Sequence, residues 1–239
     1  MPKRIVLGAA DRDAVMTVLE RELEEGGGLD RYGGVEVDAY EREFAEHVGT
    51  AFGTAVSSGT AAIHAALAAL ELEPGSEVIT PPVTDPGGVM PIVWQQCIPI
   101  FADVDPDTFN MDPTSLAERI TGRTRAIIVT HLAGQPSDMD PIVAVARRHG
   151  LPVIEDCAQS HDAVYKGRLV GTFGDLAAFS LMGGKHSTSG GQGGMVLTND
   201  EALYWRAKRF ADRGKPFNLA ERRNVTLGLN YRMTAVSYT

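Results

Sequence analysis

Two stretches near the start of the chain repeat apolar residues at helical spacing, and glycine follows each. Residues 11–25 predict one helix, stopped by Gly26-Gly27-Gly28, and residues 35–48 a second, stopped by Gly49. From residue 52 the period changes. Short apolar runs at 52–57, 77–80, 98–102, 125–130 and 152–155 read as strands, and the stretches between them, 60–73, about 88–96, 113–120 and 138–149, read as helices. This alternation predicts an α/β fold, a three-layer, mostly parallel sheet with helices on both faces. Beyond Gly174 two neighbouring strands, 175–180 and 195–198, are predicted with a glycine-rich loop between them. A charged amphipathic helix at 200–212 and a polar turn from 224 onward follow. The organisation expected is an N-terminal helical segment (1–34) and one large domain (35–239), without internal repeats.

Composition narrows the classes. A chain of 239 residues buries a sizeable core, and 44% hydrophobic with 22% charged residues is ordinary for a globular protein. A formal charge of −9 and the lack of any Lys/Arg run argue against nucleic acid and anionic membranes as partners. No segment is apolar for long enough to span a bilayer, and Met1-Pro2-Lys3-Arg4 lacks the apolar core of a signal peptide. Cys97 and Cys157 stand alone in apolar surroundings, which reads as reduced core residues of a cytoplasmic protein. No metal-ligand spacing is apparent. Net acidity leaves an anionic ligand open, because backbone amides and a local cation can hold a phosphate.

The chemistry lies in an order of residues. Ser57-Ser58-Gly59-Thr60-Ala61 joins a strand to a helix N-terminus, which presents free N–H groups, hydroxyls and the positive end of the helix dipole. A phosphate suits that turn, although Ser58 or Thr60 could equally serve as an ordinary N-cap. Asp156 ends an apolar strand, where a carboxylate is costly unless a cation or hydrogen-bond donor meets it. Gln159 follows it. Lys185 sits in a weakly charged, glycine-flanked loop that favours the neutral amine, with Ser180 before it and Gly190-Gly191-Gln192-Gly193-Gly194 after it. Deprotonated, a lysine condenses with an aldehyde, and a strand-end carboxylate pairs with a pyridinium nitrogen. Carboxylate, hydroxyl, lysine and glycines in this order suit pyridoxal 5'-phosphate (PLP). His131, at the end of the 125–130 strand, and His186, beside the lysine, are candidates for the substrate pocket, as is Asp85.

Six motifs in sequence carry a resemblance over about residues 34–233. They are Ser58-Gly59-Thr60-Ala61, Phe101-Ala102-Asp103-Val104-Asp105-Pro106, His131-Leu132-Ala133-Gly134-Gln135-Pro136 and Glu155-Asp156-Cys157-Ala158-Gln159-Ser160. Phe179-Ser180 with Lys185, and Gly228-Leu229-Asn230-Tyr231-Arg232-Met233, complete the set. Together they resemble the DegT/DnrJ/StrS family of PLP-dependent sugar aminotransferases. The resemblance implies the aspartate-aminotransferase (type I) fold, with a seven-stranded large domain and a smaller C-terminal domain. It implies that Lys185 holds the cofactor covalently and shuttles a proton, that Asp156 pairs with the pyridine nitrogen and that Gln159 touches the ring hydroxyl. Thr60, Ala61 and Ser180 would bind the phosphate. Asn230 would reach into the neighbouring subunit's site, which makes a homodimer with shared sites. The reaction implied takes an amino group from glutamate or glutamine to a keto group of a nucleotide sugar or cyclitol, in sugar and polysaccharide biosynthesis.

The chain departs from the family pattern in three places. Asp85 stands where an aromatic residue usually stacks on the cofactor ring. Leu181-Met182-Gly183 replaces the usual Phe-His-Pro, and Gly191-Gln192-Gly193-Gly194 falls one residue late. The chain also ends at Thr239, where family members continue, so the small C-terminal domain is expected to be missing. A cofactor-binding remnant of impaired activity, or half of a split enzyme, is the alternative. Relatives that use PLP for dehydration carry histidine in place of the lysine, and the presence of Lys185 argues against that branch.

Overall fold

Successive strand residues point to opposite faces, and the core of this protein is divided by that rule. The computed structural model describes residues 7–26, 29 and 34–237. In β4 (Thr124–Thr130), Ala126 and Ile128 pack into one buried cluster, and Ile127 and Val129 into another. In β5 (Val153–Asp156), Ile154 joins the first cluster and Val153 the second. In β8 (Leu176–Ser180), Leu176 and Ala178 face the first cluster, while Ala177 and Phe179 face a third. The first cluster is completed by α3 (Gly59–Ala69), α4 (Met90–Trp94) and α7 (Glu201–Ala211). The opposite face is covered by α2 (Val35–Val48) at one end and by α5 (Pro113–Arg119) and α6 (Met139–His149) at the other. The expected three layers follow directly from this alternation.

The remaining strands are β1 (Phe52–Val56), β2 (Glu77–Thr80), β3 (Ile98–Phe101) and β9 (Gly194–Thr198). The seven-stranded sheet runs in the order β1-β9-β8-β5-β4-β2-β3. β9 alone is antiparallel to its neighbours, β1 and β8, and the other pairings are parallel. The carboxyl ends of β1, β4, β5 and β8 therefore meet at one edge, together with the start of β9. Open α/β sheets bind ligands at such an edge. A small hairpin was not anticipated: β6 (Val164–Tyr165) and β7 (Arg168–Leu169) turn through Lys166 and Gly167, at φ 48° and 85°. Those two positive φ values are what a two-residue hairpin turn demands, and Gly167 was its signal.

Near the N-terminus α1 (Ala9–Glu25) ends on Gly26, whose N–H donates to the Glu22 carbonyl. Gly27 and Gly28, expected to stop it, lie outside the described residues, as do Met1–Arg4 and Thr239. The helix expected at about 88–96 is instead a short 3-10 turn (Pro86–Gly88) followed by α4. No helix among the described residues is long and apolar enough to cross a membrane.

Glu155 ties the site edge to the rest of the fold. It is fully buried and points away from α3, opposite to Asp156. Its carboxylate accepts the backbone N–H groups of Gly171, Phe173 and Gly174 at 2.7–2.8 Å, and His131 Nε2 at 3.0 Å. Leaving those donors unsatisfied is costly. Glu155→Ala should therefore lose on the order of 3 kcal/mol of stability, read as a lower urea midpoint, with Glu155→Gln losing less. An alanine variant as stable as wild type would refute the account.

Candidate active site

The N-terminal turn of α3 follows from its sequence. Ser58 is the N-cap: its Oγ accepts the Ala61 N–H at 3.0 Å, and its carbonyl accepts the Ala62 N–H at 2.9 Å. The N–H groups of Gly59 and Thr60 have no hydrogen-bond partner among the described residues, so they are the donors the turn offers. The expectation that Ala61 serves a phosphate shifts accordingly, because its N–H is already taken by Ser58. Gly59 is required by a close approach. A Cβ there would lie 2.6 Å from Ser180 Cβ, so the helix start rests directly on the end of β8. Ser58, Gly59, Thr60 and Ala61 thus form one turn that sits against Ser180.

Asp156 shares the α3 face with Ile154 and Ser180 and is 3% exposed. Only one hydrogen bond to its carboxylate is found among the described residues, from the Ala158 N–H to Oδ1 at 3.0 Å. Burial pushes its carboxyl pKa up; the Ala158 N–H, His131 and Lys185 draw it down, and Asp85 pushes it up. Lys185 and Asp85 therefore lie within electrostatic reach of Asp156. Cys157 beside it is fully buried, and burial holds its thiol protonated.

Lys185 lies on the loop between β8 and β9 and is partly exposed. The loop continues the hairpin ladder: Leu181 N–H donates to Gly193 O and Gly183 N–H to Gly191 O, and a turn closes from Lys185 N–H to Met182 O. His186 is exposed, and its ring lies 5.7 Å from that of His161. His161 was not among the expected site residues. Its Nε2 donates to the Ser180 carbonyl at 3.0 Å, and its ring meets Phe179 edge-on. Burial lowers its pKa, while the Ser180 bond opposes that. A histidine placed after Gln159-Ser160 was the available signal, too weak to use alone.

The other candidates divide. Gln159 Oε1 accepts the Ala133 N–H at 3.0 Å, which leaves its amide NH2 as the free end. Asp85 caps the 3-10 turn through the Gly87 N–H (2.9 Å) and is exposed. Asp85 Oδ1 and Thr60 Oγ1 lie 3.1 and 2.5 Å from where a Gly87 Cβ would stand, and Asp156 Oδ2 lies 3.6 Å from that of Gly88. The 85–88 turn thus spans the space between the helix N-terminus and Asp156. His131 does not line that space. It is fully buried, accepts the Ser137 N–H on Nδ1 (3.0 Å) and turns Nε2 to Glu155 on the other face. This donor pattern fixes the neutral Nε2–H tautomer. Ligand atoms of His131, Glu155 and Cys157 lie within 4.8 Å of one another, but the histidine and carboxylate atoms are already spent on these hydrogen bonds. Asn230 is exposed, and its backbone forms an isolated bridge with Asp212.

These residues fit PLP. The turn offers N–H donors to an anion, and Asp156 is a buried carboxylate short of donors and suited to a cationic ring nitrogen. Lys185 stands within electrostatic reach of it.

Comparison with known proteins agrees. The model of the DegT/DnrJ/EryC1/StrS aminotransferase family matches residues 12–238. GDP-perosamine synthase of Escherichia coli O157:H7 is 42% identical over 200 residues, covering 84% of this chain and 54% of that protein. L-glutamine:scyllo-inosose aminotransferase of Streptomyces griseus is 39% identical over 182 residues, covering 74% and 43%. An aminotransferase structure from Psychrobacter cryohalolentis superposes with a TM-score of 0.90 at 38% identity, covering 99% of this chain and 60% of that one. The DesV structure of S. venezuelae gives 0.87 at 34%, covering 100% and 64%. The chain spans about half the length of the curated relatives it matches. On the family match and these identities, the chain belongs to the DegT/DnrJ/EryC1/StrS aminotransferase family, whose cofactor is PLP.

Proposed function

We propose that this chain carries the cofactor-binding half of an aminotransferase that moves an amino group from glutamate or glutamine to a keto group of a nucleotide sugar or cyclitol. The observation that carries this reading is the meeting, at one sheet edge, of Asp156, Lys185 and an anion-ready helix start seated on Ser180. The two acceptor classes come from relatives named for GDP-perosamine and for scyllo-inosose, and another relative is named for spore coat polysaccharide biosynthesis.

PLP supplies an aldehyde for a lysine and an electron sink for the carbon bearing the amino group. The chain's own residues do the rest. The N–H groups of Gly59 and Thr60 and the Ser180 hydroxyl bind the phosphate, with Ser58 shaping the turn through Ala61. Asp156 holds the ring nitrogen protonated, and Gln159 donates its amide N–H to the ring oxygen. Lys185 would hold the aldehyde, and its amine would be the group that moves the proton at the amine-bearing carbon. Asp85, and His186 beside the lysine, face the acceptor, where a carboxylate suits hydroxyl or amino groups.

A second copy completes the site in this reading. Asn230 is exposed and reaches the partner's cofactor, and Trp94 on α4 and Ile98 and Phe101 on the edge strand β3 are each exposed apolar side chains. Two buried, unbridged cysteines fit a reducing, cytoplasmic setting.

Absorbance tests the assignment. Purified protein with added PLP should develop a visible band that Lys185→Ala lacks and that glutamate bleaches. A band untouched by glutamate would mean binding without amino transfer, and no band would sink the reading. Shared sites predict complementation. Lys185→Ala and Asn230→Ala proteins, each impaired alone, should regain bound cofactor when mixed under dissociating conditions and returned. No recovery would argue against a site built from two chains.

Asp156 gives a test without cofactor. Its pKa is raised in the fold, so its ionised form destabilises the folded protein, and stability is lost as pH rises above the ordinary carboxylate range. Cofactor-free Asp156→Asn should be more stable than wild type at pH 8, and the gap should close as pH falls toward about 4. Equal urea midpoints at every pH would contradict this. The same variant should bind PLP poorly, because its ring nitrogen loses its counter-ion.

A further inference from the structure

Tyr231 grips α3 at two points. Its carbonyl accepts the N–H of Ser57, the residue just before the N-cap, at 2.7 Å. Its hydroxyl meets His64 Nδ1, farther along the helix, at 2.8 Å. Its own N–H donates to Ala211 O at the end of α7, at 2.8 Å. His64 in turn meets the Gln95 amide nitrogen with Nε2 at 2.8 Å. The amide is the donor there, so Nε2 carries the lone pair, and Nδ1–H donates to the Tyr231 oxygen.

This chain of polar groups runs through an apolar setting. His64 is 4% exposed, on a helix otherwise rich in buried alanine, and the rings of Trp94, Phe210 and Tyr231 surround it at 4.9–5.8 Å. Burial lowers its pKa to about 4, so it stays neutral across the working pH range. Its only titratable or charged neighbour among these contacts is Tyr231, whose pKa burial raises. A leucine and a phenylalanine would fill the same space without burying polar groups. The hydroxyl and imidazole add a fixed direction, setting the rotation and depth of α3 relative to the strand end at Ser57.

We propose that Tyr231 is a positioning residue for the phosphate-binding turn, holding Gly59 and Thr60 against Ser180 through Ser57 and His64. This rests on the proposed binding of a phosphate at that turn. The residue acts through others and touches no ligand itself. Because Asn230 precedes it directly, the same anchor fixes the point from which that side chain leaves the domain.

The experiment measures dissociation constants of PLP and of pyridoxal, which lacks the phosphate, together with thermal midpoints. Wild type, Tyr231→Phe and the double variant Tyr231→Phe/His64→Leu are compared. Tyr231→Phe should weaken PLP about five-fold, the value of one net hydrogen bond, and leave pyridoxal within about two-fold. The double variant removes both the hydroxyl and the imidazole and leaves only the half-buried Gln95 amide to turn to water, so its thermal midpoint should recover in large part while its preference for PLP stays reduced. Equal weakening of both ligands, unchanged PLP affinity, or a preference that returns with the midpoint would overturn the positioning role. A wild type that binds PLP no better than pyridoxal would instead refute the phosphate reading itself, and with it this inference.

Discussion

Everything at the site edge answers to one constraint: a carboxylate, Asp156, is buried at the end of a central strand with too few donors. Its neighbour shows the contrast. Glu155, one residue earlier and on the opposite face, is as deeply buried but receives three backbone N–H groups and an imidazole. Asp156 receives one N–H. The same desolvation acts on both, and only the first is fully met by the fold. A protein that buries a carboxylate this way gives up stability to keep an unmet preference for positive charge, the arrangement expected of a binding site rather than of a core.

Of the imidazoles nearby, a charged His131 would draw the Asp156 pKa down, but its Nδ1 accepts the Ser137 N–H and so carries no proton. His131 is locked as the neutral Nε2–H tautomer by Ser137 and Glu155, and burial lowers the pKa of His161. Each is used for its directional hydrogen bond. Lys185 remains as the cation in electrostatic reach of Asp156, and its amine is the group proposed to react with the cofactor's aldehyde. A ligand bringing its own cation, such as a pyridinium, meets what the protein leaves open.

Much of this was legible in the sequence because it is local. The strand and helix periods gave the layers, and Ser58-Gly59-Thr60 declared a helix start. Asp156 was conspicuous as a charge ending an apolar run. What escaped notice depends on long-range pairing. Tyr231 meets His64, and Glu155 meets the 171–174 loop, across separations that no periodicity encodes. The reversed direction of β9 is set by its pairing with β1 as much as with β8. His131 shows the same limit in reverse. Its place at a strand end suggested the pocket, but the partners that meet its two ring nitrogens, Ser137 at Nδ1 and Glu155 at Nε2, turn it to the other face.

The division between sheet and loop also bears on the departures expected from the sequence. Asp156 lies in register with Ala178 on β8, and Ser180, farther along that strand, pairs with Gly194, which also pairs with Val56 just before the phosphate turn. The distance from the carboxylate to the helix start is therefore set by hydrogen-bonded register, and Gly59 closes the last gap by letting α3 rest on Ser180. A register cannot shift by fractions, because one slip turns every side chain to the other face. Asp156 and Ser180 on this ruler belong to the motifs that carry the resemblance read from the sequence. Asp85 lies on a connection that the register does not constrain, where an altered side chain changes what meets the ligand without moving the frame that holds it, whereas Leu181 and Gly183 still continue the ladder from β8 to β9.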